Sequence, residues 1–130
     1  MTGIPEAVAR VARVFAGWER PWAIAGGLAL DLWRGVLSRP HHDVDVAVVR
    51  TDQLALRAQL AGWQWTLIEG GAARPWREGE QVVLPVHELV AAQRIEALEA
   101  RSGEAIEVLL NERIGDEWVF RRDPRVRCDL

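Results

Sequence analysis

The run Asp43-Val44-Asp45-Val46-Ala47-Val48-Val49 constrains this chain more than any other. Strict alternation of this kind marks a strand with one face in a core. Val44, Val46 and Val48 take one side, and Asp43, Asp45, Ala47 and Val49 take the other. Such a strand needs partners on its edges and an apolar layer against its valine face. Its other face must accommodate two carboxylates side by side, because residues i and i+2 of a strand project the same way.

Two acids this close repel each other and raise one another's pKa. A divalent cation relieves that repulsion. Mg²⁺ is hard, prefers oxygen, and is usually held by one or two carboxylates plus substrate phosphate and water. A third acid on a neighbouring strand would complete the set. Glu107 is the candidate, within the strand expected at 106–111, where a lone acid among apolar residues would be costly. Two ions about 3.5–4 Å apart can clamp the attacking and leaving oxygens of an in-line phosphoryl displacement.

What precedes the acids points the same way. Trp22 to Ala25 reads as a short buried strand, Gly26-Gly27 as a turn, and residues 28–34 as a short helix ending near Gly35. Glycine lets backbone approach a phosphate closely, and a helix N-terminus offers free N–H groups and a positive dipole end. In the loop Arg39-Pro40-His41-His42, Arg39 and His41 can meet phosphate oxygens. A lone pair of acids is a weak signal and a lone glycine pair weaker still. Their ordered succession is more specific.

The rest of the chain reads as alternating helices and strands with a late hairpin. Helices are expected at 5–16 and 52–61, the second capped by Thr51. A strand is expected at 63–67, a turn-rich loop at 70–79, and a segment of helical propensity at 87–101. Gly115-Asp116 should turn the 106–111 strand back into Trp118-Val119-Phe120. The expected architecture is a mixed α/β (α+β) sheet with helices packed on it and a strand–glycine pair–helix–strand core, in one domain spanning 1–130.

Of the seven tryptophans, Trp22, Trp33, Trp63 and Trp118 are assigned to the core, and Trp76 to a loop where it could stack on a ring. The arginines from 121 to 127 read as a solvated tail or subunit contact.

Composition narrows the partners. With 130 residues, a net charge of −3 and a pI near 5.6, the chain is not a generic nucleic-acid binder. The single cysteine, Cys128, excludes an intrachain disulfide, and the N-terminus lacks signal-peptide character. A cytoplasmic location and no membrane association follow as expectations.

Gly26-Gly27-Leu28-Ala29-Leu30-Asp31, Gly35, and then Arg39-Pro40-His41-His42-Asp43-Val44-Asp45-Val46 resemble the aminoglycoside and lincosamide nucleotidyltransferases of the DNA polymerase β-like superfamily. The resemblance is good over residues 20–67 and looser through 106–123. It implies Mg²⁺-dependent transfer of a nucleoside monophosphate from a nucleoside triphosphate, ATP first among them, to an acceptor hydroxyl, with release of pyrophosphate. It further implies triphosphate contacts from Gly26 and Gly27 and metal binding by Asp43 and Asp45. Glu107 stands where the family places its third carboxylate, usually Asp, and Glu112 is a second candidate. Relatives continue into helices that shape the acceptor pocket, a region expected to be lacking here; a homodimer is expected in its place. The alternative is a non-catalytic nucleotide-binding or toxin–antitoxin-type module on the same fold, and a weaker one is a metal-dependent phosphohydrolase.

Overall fold

A computed structural model describes residues 6–26, 29, 33–35, 44–100, 104–119 and 125–129. Helix α1 spans Glu6–Val14. Strand β1 is Trp22–Ala25 and strand β2 is Val44–Val49. A 3-10 turn, Arg50–Asp52, leads into helix α2, Gln53–Gln59. Strands β3 (Gln64–Glu69), β4 (Ala72–Pro75) and β5 (Glu88–Ala92) precede helix α3, Ile95–Ala100. The described residues end with β6 (Ile106–Ile114), β7 (Glu117–Val119) and β8 (Arg127–Asp129).

The strands form one mixed sheet in the order β1-β2-β6-β5-β3-β4, with β7 extending from β6 and β8 from β7. Among the described strands only β2 and β6 run parallel; the other pairings are antiparallel. The expected mixed α+β architecture is therefore present.

The alternation in β2 does what its spacing requires. Val44, Val46 and Val48 are fully buried, as are Ile106, Val108 and Leu110 beside them on β6. Val11 and Phe15 from the α1 region, and Leu56 and Leu60 from the α2 region, close over this face. Beneath the 80–86 loop lies a buried polar knot. Gln53 donates through Nε2 to Val82 O at 3.0 Å, and its Oε1 accepts from Val82 N at 2.7 Å. Arg50 donates to Val86 O at 2.6 Å.

Among the described residues, the opposite face is covered at one end only. Ala97 and Leu98 of α3 pack on Val90, Ala92 and Ala105 in a separate small cluster. Over β1, β2 and the first half of β6 the outward residues Ala25, Asp45, Ala47, Glu107 and Leu109 are half-buried.

Several expectations are corrected. Thr51 lies inside the 3-10 turn and caps no helix; Asp52 precedes α2, without a side-chain cap bond. The 70–79 segment contains half of a hairpin, β3 to β4, turned by Gly70 and Gly71 at φ of 59° and 80°. Among the described residues of 87–101, Glu88–Ala92 is strand and Ile95–Ala100 is helix. Trp76 is no exposed platform. It is 2% exposed, its Nε1 donates to Glu80 O at 2.8 Å, and it meets Trp65 edge-on. Trp33 is 85% exposed and so outside the core. The tail adds strand β8, which pairs with β7.

Candidate active site

Register places one row of residues straight across the open face. Ala25 of β1 pairs with Asp45 of β2, Asp45 with Glu107 of β6, and Glu107 with Val90 of β5. Cross-strand partners share a face, and neighbouring strands lie about 4.8 Å apart. Asp45 and Glu107 are thus side by side, on the face away from the valine core. Small neighbours keep the row open: Ala25 on one flank and Ala47 one step along.

Gly26 completes this corner. Its φ is +68°, in the left-handed region that glycine enters without penalty. A Cβ at this position would collide with Asp45 Oδ2 and lie 3.1 Å from Cγ. The backbone therefore rests directly on the Asp45 carboxylate, and any side chain at Gly26 would displace it. Sequence alone singled out the glycine pair for phosphate. The second reason for Gly26, room for the carboxylate, depends on the β1–β2 register.

Gly27, Arg39, His41 and Asp43, and with them Asp31, lie outside the described residues. Among the described residues no group of three or more metal-ligating side chains assembles. The donor set described is the Asp45–Glu107 pair, two hard carboxylates on one face, and it fits a hard cation such as Mg²⁺.

Glu112 is engaged elsewhere. It is five positions beyond Glu107 on the same strand, so it belongs to the opposite face. It accepts from buried Arg50 Nε at 2.6 Å, and Arg50 also donates to Val82 O and Val86 O. That makes Glu112 the counter-ion of a structural arginine.

Sequence reading missed Glu88. It pairs with Leu109, one step along β6 from Glu107, so it shares the open face diagonally from the carboxylate pair. The helical propensity of 87–101 hid this, because a residue's face cannot be read before its element is known. His87, half-buried, contacts Pro85 O through Nδ1 at 3.1 Å.

The shifted groups lie away from this row. Glu80 is held down to about 2, first by the hydrogen bonds from Arg74 and then by the Arg77 N–H. Arg74 is raised in turn by Glu80 and then Glu69, as Arg94 is by Glu104. These pairs serve the β4 loop and the α3 end.

The profile of the aminoglycoside-2''-adenylyltransferase family matches residues 7–101. The match includes Gly26, Asp45 and Glu88 and stops short of Glu107. No match emerges among curated proteins or among solved structures.

Proposed function

Because the chain belongs to the aminoglycoside-2''-adenylyltransferase family, we propose that it transfers a nucleoside monophosphate from ATP to a hydroxyl of an aminoglycoside-like acceptor. The observation that carries this reading is the corner where Gly26 backbone rests on the Asp45 carboxylate, with Glu107 in register beside it. In this reading the corner would be the junction of a strand–glycine pair–helix–strand core, where triphosphate would meet metal.

In this reading Gly26 and Gly27 hold the triphosphate by main-chain N–H groups, and Arg39 and His41 add charge to the phosphate oxygens. Asp45 and Glu107, with Asp43, would hold Mg²⁺. When bound, the ion neutralises phosphate charge and favours a nucleophilic alkoxide. The acceptor oxygen attacks the α-phosphorus, the bond to the bridging oxygen breaks, and pyrophosphate leaves with the electron pair. The acceptor's proton passes to a carboxylate of the group, which we assign to Glu107. The protein's share is positioning and charge compensation, without a covalent intermediate.

The test is transfer of label from α-labelled ATP to an aminoglycoside. Labelled drug with pyrophosphate release, lost in Glu107→Gln, supports the reading. Nucleotide binding without transfer would favour a non-catalytic module, and orthophosphate release without labelled drug a hydrolase.

A further inference from the structure

The row that holds Asp45 and Glu107 runs on beyond β5. Val90 pairs with Thr66 of β3, and Thr66 with Pro75 of β4. Thr66 is two strand spacings, about 9.6 Å, from Glu107. Helix α3 packs over β5 and β3. Between it and β4 lies a cavity of about 480 Å³, lined by Thr66, Ala73 and Pro75 on the sheet and by Ile95, Leu98 and Glu99 on the helix. Ile95 is 45% exposed at its rim.

Strand β4 is an edge: among the described residues it pairs with β3 alone. The phase of that ladder says which of its main-chain groups point outward. Gly70-Gly71 make a two-residue turn, so the flanking Glu69 and Ala72 are a hydrogen-bonded pair. Such pairs alternate along the ladder. Arg74 is therefore the next, and Trp76, whose N–H donates to Trp65 O at 3.4 Å, is the one after. Ala73 and Pro75 fall between. Exposed Ala73 turns its N–H and C=O away from β3, and Pro75 stands where β3 needs no N–H.

An outward-turned edge beside a helix, with an apolar groove between them, suits strand addition. Main-chain bonds to the edge give affinity, and pockets for alternate side chains give specificity. A residue paired with Ala73 shares its face, so its side chain enters the groove. Charge chooses the occupant. Glu99 lines the cavity, and Glu96 lies three residues earlier on the same helix. The cation of the cavity wall, Arg74, is already held by Glu80 at 2.7 Å and by Glu69 at 3.4 Å. A second copy, itself at net charge −3 and with the same acids beside its own edge, is disfavoured. A segment with basic side chains is favoured.

We propose that the β4 edge and the cavity beside α3 form a docking groove for an extended segment of a partner protein, apolar at its centre and basic at its flanks. The central residue pairs with Ala73 and sends its side chain between the sheet and Leu98. A basic side chain two residues away, on the same face, meets Glu99. The inference stands apart from the nucleotidyltransferase reading and adds a protein partner laid alongside the carboxylate row.

The probe is the pentapeptide acetyl-Lys-Val-Leu-Val-Lys-amide. One control carries an N-methyl group on the leucine nitrogen, and another has glutamate in place of both lysines. Hydrogen exchange of the Ala73 amide is followed by NMR in the wild type, and affinity is measured for wild type, Ala73→Pro and Glu99→Gln. The expected result is Ala73 exchange slowed by the lysine peptide and by neither control. N-methylation and Ala73→Pro should each weaken binding about fivefold or more, the scale of one lost main-chain hydrogen bond. Glu99→Gln should weaken it about threefold, and less at high salt. Proline at an edge position whose N–H faces outward is tolerated by the sheet, and the exchange arm uses unaltered protein in any case. A lysine peptide that fails to bind at millimolar concentration overturns the proposal, as does one bound equally by Ala73→Pro. Protection of Ala73 that grows with protein concentration, without peptide, overturns it in favour of a second copy.

Discussion

At the residue scale, identity is most tightly constrained at Gly26. The position demands a left-handed backbone and the absence of a Cβ against Asp45. Gly26→Ala should cost about 1–2 kcal/mol in backbone strain alone. Its larger effect should fall on the site, because the new methyl pushes the carboxylate aside. Urea unfolding should show the modest loss, and calorimetry with Mg²⁺ and ATP should show binding reduced far beyond it. The two acids of β6 should separate equally cleanly. Among the described residues, Glu112→Ala leaves buried Arg50 with carbonyl partners alone, and it should lower stability by about 1–3 kcal/mol. Nucleotide binding by that variant should persist. Glu107→Gln should do the reverse, sparing stability and abolishing label transfer. A Glu112→Ala protein that is stable but unable to bind nucleotide would exchange the roles assigned to these residues.

Elements explain what was legible in the sequence and what was not. Strand β2 was readable because its period-2 pattern extends over six residues with one face wholly apolar. Strand β5 was not, because Glu88–Ala92 has helix-forming composition and is strand only through pairing with β3 and β6 on either side. The β3–β4 turn did carry a local signal: two glycines between strands suit a turn with positive φ at both central residues. Its glycine content alone points only to a loop. Trp76 then followed into the wrong environment, since its burial depends on Trp65 and on Arg57 stacked 4.7 Å from its ring centroid. For the site, Asp45 and Glu107 on neighbouring strands are legible from their strand patterns, whereas the place of Glu88 requires the β5–β6 register. The loop after β4 also yields a pH prediction. Glu80 titrates near 2, below the ordinary 4.5, because Arg74 and the Arg77 N–H hold its ionised form. A lowered native pKa contributes stability that is present above pH 4.5 and lost as pH falls toward 2. Wild type should therefore exceed Glu80→Gln in stability above pH 4.5. The gap should close by pH 2, as followed by tryptophan fluorescence during acid unfolding. An unchanged gap across that window would mean that the ion pair contributes nothing to folding.

The whole molecule divides its sheet into two faces. One is sealed by α1, α2 and the 76–86 loop into the principal core. The other carries α3 at one end and, among the described residues, leaves the half-buried Asp45–Glu107 row uncapped beside Gly26. Binding on the open face leaves the core undisturbed, so ligand should stabilise the native state by mass action alone. Saturation at a hundred times Kd should add about 2.7 kcal/mol. Among the described residues no helix is long and apolar enough to cross a membrane. The central claim is that the open-face carboxylates bind nucleotide through a divalent ion. It is tested most directly by calorimetric titration of ATP, with and without Mg²⁺, into wild type and Asp45→Asn. The account predicts binding to wild type that requires Mg²⁺ and falls by about tenfold or more in the variant, a loss of at least roughly 1.4 kcal/mol. Equal binding by the two proteins, or binding indifferent to Mg²⁺, would contradict it.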